Sequence, residues 1–251
     1  TAGLEPDVVS YNVGISACGK GGEWQQALAL LREQWDAILE PNVISYGAGI
    51  SACEQGGQWQ YAISLLSQSS EARLEPSLVS HSAAISACEK ANQWQWALSM
   101  LREIWEATLE PNVISFNALV SACGASRQWQ RALLLLRGMG EVRLEPNVVG
   151  YSAGVSACEK GGQWQQALSL LGELRSTRLE LDVLVYCAGI RACGKGEQWQ
   201  QGLSLLFELA TSNVDPDATS YSAGVTLCEK SGRWQMALAL LREARDSGLE
   251  P

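Results

Sequence analysis

Eight cysteines and one histidine are the residues of this 251-residue chain that could attack a carbonyl, exchange disulfides or ligate a metal. Seven of the thiols (Cys18, Cys53, Cys88, Cys123, Cys158, Cys193 and Cys228) stand 35 residues apart, and Cys187 falls outside the series. One thiol per copy of a stacked helical unit places neighbours roughly 8–10 Å apart, farther than the ~7 Å between Cα atoms that a disulfide spans. No Cys-x-x-Cys pair occurs. The series therefore reads as small buried hydrophobes in reducing surroundings. His81 takes the slot held by Tyr11, Tyr46, Phe116, Tyr151, Tyr186 and Tyr221, so it reads as a packing aromatic rather than the base of a Cys–His pair. There is no Gly-x-Gly-x-x-Gly, no Walker-type phosphate loop and no zinc-deaminase His-x-Glu. The sequence predicts a binding protein, with no catalytic residue, metal or cofactor.

The remaining polar chemistry lies in one stripe. Val9, Asn12, Ser16 and Lys20 follow at spacings of three, four and four, which is one line along a helix. It is rotated away from the apolar face of Tyr11, Ile15 and Cys18, so stacking is expected to leave it exposed. At successive 35-residue steps the Asn12 slot holds Gly47, Ser82, Asn117, Ser152, Cys187 and Ser222, while the tryptophan at Trp24 never changes. Variation confined to one line of an invariant scaffold is the pattern of a recognition surface. Lys20, Lys90, Lys160, Lys195 and Lys230 project from the same stripe, and Gln55 and Ala125 interrupt it.

The elements that position this stripe follow from the period. Trp24, Trp59, Trp94, Trp129, Trp164, Trp199 and Trp234 recur without a slip, as do Pro6, Pro41, Pro76, Pro111, Pro146, Pro216 and Pro251, with Leu181 in the gap. Such a period marks a solenoid, in which each repeat buries its apolar face against its neighbours. The repeats are 8–42, 43–77, 78–112, 113–147, 148–182, 183–217 and 218–251. Each divides into two helices. Val8, Tyr11, Ile15 and Cys18 line one face of the first, and Gly21-Gly22 ends it. Trp24, Ala27, Leu28 and Leu31 line the second, and Leu39-Glu40-Pro41 ends that one. Trp129 is expected to be buried between helices. Ala27, Ala62, Ala97, Ala132, Ala167 and Ala237 allow close backbone approach, with Gly202 in that role in the sixth repeat.

The predicted fold is thus all-α: an α-solenoid of seven 35-residue helix–turn–helix repeats forming a superhelix over residues 1–251. Residues 1–7 read as the tail of a preceding repeat, and Gly248-Leu249-Glu250-Pro251 stops inside the same junction, as in a fragment of a longer array. The longest apolar runs, such as Ala132 to Leu136, are far too short to cross a bilayer.

The unit Val8-Val9-Ser10-Tyr11-Asn12 through Cys18-Gly19-Lys20, then Ala27-Leu28 and Leu39-Glu40-Pro41-Asn42, resembles the P-type pentatricopeptide repeat (PPR) family in length, order and spacing across essentially the whole chain. Members of that family read single-stranded RNA at one base per repeat through two or three side chains. The resemblance implies that the fifth and last residues of each repeat read one base together. The pairs are Asn12 with Asn42, Gly47 with Ser77, Ser82 with Asn112, Asn117 with Asn147, Ser152 with Asp182, and Cys187 with Asp217; Ser222 has no partner in the sequence. Val9, Ile44, Val79, Ile114, Val149 and Leu184 would wedge between bases, with Thr219 departing from the pattern. The implied preference is 5′-pyrimidine, any, A, pyrimidine, G, then a purine. It also implies an organelle, chloroplast or mitochondrion, and work in RNA processing, stability or translation.

Two alternatives stand beside this reading. Asn42, Ser77, Asn112, Asn147, Asp182 and Asp217 all precede a helix and are good N-caps, and lysines at a helix C-terminus stabilise its dipole. Capping does not explain why the fifth position, inside a helix, holds Asn and Ser. The net charge of −9 opposes phosphate binding, which ordinarily favours a basic surface. The junction glutamates (Glu5, Glu40, Glu75, Glu110, Glu145, Glu180, Glu250) are expected to lie off the stripe. The sequence therefore supports a sequence-selective single-stranded RNA-binding module or, alternatively, an α-solenoid scaffold that holds a protein partner along its concave face.

Overall fold

Each first helix begins where an Asp, Asn or Ser side chain takes up an unpaired backbone N–H, which is why this residue set recurs before every one of them. In the computed structural model of the chain, Asp7 Oδ1 accepts from Ser10 N at 2.8 Å, Asn42 Oδ1 from Ser45 N at 3.1 Å and Asp217 Oδ1 from Ser220 N at 2.8 Å. The structure describes residues 6–75, 77–177, 179, 181–212, 214 and 216–246. The opening tail with Glu5, and Pro76, Glu180, Glu250 and Pro251, lie outside the described residues.

Among the described residues there are fourteen helices of 13 residues each and no strand. The first helices are α1 (Val8–Lys20), α3 (Val43–Gln55), α5 (Leu78–Lys90), α7 (Val113–Ala125), α9 (Val148–Lys160), α11 (Val183–Lys195) and α13 (Ala218–Lys230). The second helices are α2 (Trp24–Asp36), α4 (Trp59–Glu71), α6 (Trp94–Glu106), α8 (Trp129–Glu141), α10 (Trp164–Ser176), α12 (Trp199–Thr211) and α14 (Trp234–Asp246). The turn between the two helices of a repeat needs one left-handed residue. Gly22, Gly57, Gly162 and Gly232 supply it at φ 65–78°, and Asn92, Arg127 and Glu197 adopt it at 55–58°. After the second helix, Ile38 and Thr108 hold the same conformation at φ 61° and 55°, a costly choice for β-branched residues.

Two compact blocks divide the chain, residues 1–122 and 123–251. In the first, α1 packs on α3 and α3 on α5, while α2 and α4 each bridge two successive first helices. In the second, α9, α11 and α13 form the corresponding row, bridged by α10 and α12. Ile15, Ile50, Ile85 and Ile104 are fully buried in the first core, and Val155, Leu171, Leu174, Ile190 and Leu209 in the second.

Two close approaches depart from the sequence reading. Trp129 is half-buried rather than enclosed, and it lies over the cap glycine of the next repeat: a Cβ on Gly161 would fall 2.5 Å from its Cδ1. The ring covers the flank of the interface, with one side towards solvent. Gly202 is required by its neighbour, since its Cβ would meet Leu227 Cδ2 at 2.5 Å. Leu227 stands where the other repeats carry Ala17, Ala52, Ala87, Ala122, Ala157 and Ala192, so a large residue in one repeat faces a small one in the other.

Candidate nucleic-acid interface

One apolar residue per first helix is held out of the core at a fixed place. Val9, Ile44, Val79, Ile114, Val149 and Leu184 are 60–70% exposed, and Thr219 at the same place is exposed too. Apart from Val13 of α1, these helices bury or half-bury their other large apolar side chains, so a recurring exposed Val, Ile or Leu is an unused hydrophobic surface. Spaced one repeat apart, such side chains can flank a flat ring.

Beside each of them stands the last residue of the preceding repeat, and its N-cap bond orients what it offers. Asn112 Oδ1 accepts from Ser115 N at 2.9 Å and Ser115 Oγ at 3.0 Å. The oxygen is thereby turned inward, and Nδ2 donates to nothing among the described residues. Asn42 is held the same way by Ile44 N, Ser45 N and Ser45 Oγ at 3.0–3.2 Å. Asp182 Oδ1 accepts from Val185 N at 2.8 Å, leaving Oδ2 as an acceptor, and Asp217 follows suit. Asn147 Oδ1 caps Gly150 N at 3.1 Å, and Ser77 Oγ caps Ser80 N at 3.2 Å. Asn42 and Asn112 therefore present a donor, and Asp182 and Asp217 an acceptor.

The fifth position is less open than the stripe suggests. Ser16 and Lys20 are exposed, but Asn12 is buried and Cys187 has no accessible surface. The cause is the next first helix, which lies over this position. Ser82 Oγ sits 2.8 Å from Ser115 Oγ, and a Cβ on Gly47 would meet Ser80 Oγ at 3.5 Å. Ser82, Asn117 and Ser152 are partly exposed, and Ser222 is exposed. Asn12 Oδ1 is buried with no hydrogen-bond partner among the described residues. It lines a cavity of about 600 Å³ with Lys20, Ile44, Gly47, Ser77 and Val79, open because Gly47 has no side chain. Gly47 and Ser77 line that cavity together, Ser82 and Asn112 meet through Ser115, and Asp217 lies close enough to Cys187 to disfavour its thiolate; the pairings Asn12/Asn42 and Ser152/Asp182 rest on the sequence. Asn117 and Asn147 belong to different blocks, and their pairing rests on the sequence.

The lysines fall into two groups. Lys90 Nζ donates to Glu54 Oε1 at 3.0 Å and to the Glu54 carbonyl at 3.1 Å. Lys195 repeats this on Glu159 at 3.1 and 2.9 Å, with Arg191 Nε on the same carboxylate at 3.3 Å. Lys20, Lys160 and Lys230 have no ion pair among the described residues. At the register of Glu54 and Glu159, Gly124 precedes Lys160 and Gly194 precedes Lys230. Sequence reasoning missed these glutamates, although each stands 36 residues before its lysine.

The cysteines stay apart from this surface chemistry. All eight are free thiols, and all but Cys18 are buried. Burial pushes Cys53 and Cys88 up to about 12, and Cys187 to about 11 with further help from Asp217 and Asp182. Among the described residues no cluster of His, Cys, Asp and Glu could hold a metal, and no helix is long and apolar enough to cross a membrane.

No curated protein matches the chain. Among solved structures, the pentatricopeptide repeat protein PPR10 from maize shares 22% identity at a TM-score of 0.73, over 99% of this chain and 36% of that one. PPR10 in complex with an 18-nt psaJ RNA element shares 19% identity at a TM-score of 0.62, over 100% and 41%. The PPR domain of Arabidopsis thaliana protein-only RNase P 1, in complex with tRNA, shares 13% identity at 0.58, over 66% and 88%. The chain thus spans well under half the length of PPR10, and these likenesses show the fold. The PPR repeat pattern matches residues 9–33, and the pentatricopeptide repeat domain pattern matches 29–91, 64–127 and 99–162, more than half of the sequence. The chain belongs to the pentatricopeptide repeat family.

Proposed function

We propose that the chain is a sequence-selective single-stranded RNA-binding module that serves organellar transcripts, in chloroplast or mitochondrion, by binding rather than by catalysis. The observation that carries it is the row of exposed apolar residues, set beside capped Asn42, Asn112, Asp182 and Asp217, each of which has one polar atom to spare. That arrangement suits an unstacked base, whose faces are apolar and whose edge is polar. PPR10 and the PPR domain of RNase P 1 are both described with RNA, which supports the same reading. The last residues of the repeats, with the fifth residues that stay accessible, would read the edge, the apolar row would sandwich the ring, and Lys20, Lys160 and Lys230 would meet phosphate. Repeats beginning at Val8 and at each 35th residue thereafter would take one base each.

The polar geometry divides the bases by chemistry. A donor from Asn42 or Asn112 suits the ring nitrogen acceptor of A or C, whereas an acceptor from Asp182 or Asp217 suits the ring N–H of G or U. The double substitution Ser82→Asn with Asn112→Asp should accordingly move the third base from A to U in selection from a random single-stranded RNA pool. The apolar row gives a second test. Ile44→Ser with Val79→Ser should weaken RNA binding about fivefold per site, from lost contact area. Melting should stay nearly unchanged, because both side chains are 67–70% exposed. Unaltered RNA affinity in that double variant, or no selected base at the third position in either protein, would overturn the proposal.

A further inference from the structure

We infer that the third residue of a repeat is a positioning residue for the reading pair of the repeat before it, and that Ser115 sets which hydrogen-bonding face Ser82 shows to the RNA. The inference rests on the RNA-reading proposal and adds a residue outside the reading pairs.

The argument follows the protons. Asn112 Oδ1 is fixed as the oxygen of its amide, because it accepts the backbone N–H of Ser115 at 2.9 Å. Ser115 Oγ lies 3.0 Å from that same oxygen, which cannot donate, so the Ser115 hydroxyl proton is committed to Asn112. Ser82 Oγ is 2.8 Å from Ser115 Oγ. With the Ser115 proton already used, Ser82 is the donor in that bond. Its own proton then points inward, and its free lone pairs face the groove. Ser115 is fully buried, so water does not compete for this chain of bonds.

The pair Ser82/Asn112 consequently offers one acceptor and one donor. This matches the amino group and ring nitrogen of A or C, and mismatches the carbonyl and ring N–H of G or U. Without the Ser115 hydroxyl, Ser82 can rotate to donate or accept, and that distinction fades. Elsewhere the third residue is used differently. Ser45 Oγ donates to Asn42 Oδ1 at 3.2 Å but accepts from Gln34 Nε2 at 3.2 Å, so Gln34 occupies the place that Ser82 takes at Ser115. In the second block Gly150 and Val185 have no hydroxyl at all, and it is their backbone N–H that Asn147 and Asp182 cap.

Val185 also supplies the control, because it is fully buried at the equivalent place. A branched side chain therefore fits there, and threonine and valine can be compared at 115 with the same shape, differing only in the hydroxyl. The probes are four short single-stranded RNAs identical except at the third base, titrated by fluorescence anisotropy. Ser115→Thr should keep the parent's preference for A and C over G and U. Ser115→Val should reduce it about fivefold, the equilibrium effect of one ordinary hydrogen bond. A residue that merely fills space would give the same result for both variants. Equal discrimination in the two variants, with the parent discriminating, overturns the positioning role alone. No discrimination by the parent overturns both this inference and the reading it rests on. The reverse variant, Val185→Thr, covers the case in which Ser115→Val fails to fold. There the introduced hydroxyl should pin Ser152 as an acceptor beside Asp182, so Ser152 could no longer donate to the carbonyl that G and U carry beside their ring N–H. Preference for G and U over A and C at the fifth base should fall about fivefold; an unchanged ratio overturns the inference.

Discussion

Lys20, Lys160 and Lys230 are free to meet phosphate, whereas Lys90 and Lys195 are already spent on Glu54 and Glu159. Each phosphate contact to a single strand contributes a slope of about −0.7 in log affinity against log salt. Three free lysines therefore give a slope of about −2, where five would give about −3.5. The double substitution Lys160→Gln with Lys230→Gln should flatten it by about 1.4 and weaken all sequences alike. Lys90→Gln with Lys195→Gln should leave the slope nearly unchanged. It should instead lower stability by up to about 1 kcal/mol per ion pair, since the lysine side chains are 46% and 39% exposed while Glu54 and Glu159 are 23% and 12% exposed.

The gain-of-function arm is the sharper one. Glu54→Gln releases Lys90, so it should steepen the slope by about 0.7 and tighten RNA binding at low salt, the opposite of a damaging mutation. The assay is anisotropy of a labelled single-stranded RNA from about 20 to 150 mM salt, since the Debye length is about 10 Å at 0.1 M and the net charge is −9. Equal flattening by the two lysine pairs would show that the ion pairs open in the complex and that the division is wrong. No change in slope from any variant would remove this row from the phosphate path.

The remaining predictions concern the scaffold. Gly202→Ala should destabilise by about 1–3 kcal/mol through overpacking against Leu227; adding Leu227→Ala should recover much of that loss, and additive effects in a double-mutant cycle would refute the compensation. The buried thiols should resist alkylation in the native state while Cys18 reacts first; early, simultaneous labelling of all eight would contradict their burial. Because the folded state holds Cys53 and Cys88 protonated to about pH 12 and the unfolded thiol ionises near ~8.5, the unfolded chain releases protons first, so stability should fall as pH rises from about 9 towards 12; a flat denaturant midpoint across that range would refute it. Ile38→Gly should stabilise by about 1 kcal/mol, because Ile38 is 91% exposed at φ 61° and has only backbone strain to lose; a lower melting temperature would refute it.

The first helices were legible in the sequence because each signal has a local cause: a capping side chain at the start, a left-handed residue at the end and an apolar line between. The packing around Trp129 was not. A 35-residue period says that every tryptophan has the same environment, but not whether that environment closes over both sides of the ring. Trp59 and Trp199 are half-buried as Trp129 is, although the next repeats carry Ala91 and Ser231 where Trp129 meets Gly161, so the stacking of neighbouring repeats decides it. The lysine–glutamate pairs were also out of reach of a single-repeat reading, since a spacing of 36 residues is meaningful only once first helices are known to lie side by side. Cys187 shows the same limit. On one helix it falls on the stripe of Asn and Ser, and only the next helix, lying across it, removes it from solvent.

The last position of each repeat is a different case, because the sequence offered two explanations that seemed to compete. Asn, Asp and Ser before a helix are what capping requires, so their recurrence carried no evidence for reading. Under the proposed reading, the two roles fall on different atoms of one side chain. One oxygen closes the helix, and that bond turns the other group towards the groove with a fixed polarity, Nδ2 for Asn42 and Asn112 and Oδ2 for Asp182 and Asp217. Capping is therefore what makes a reading residue rigid enough to discriminate. A freely rotating amide could offer either its donor or its acceptor to the same base edge, and would distinguish little. On this view the N-cap residue set is small for one reason and varies within the set for another. The helix restricts it to short side chains with an inward acceptor, and the choice between amide and carboxylate is left to the partner.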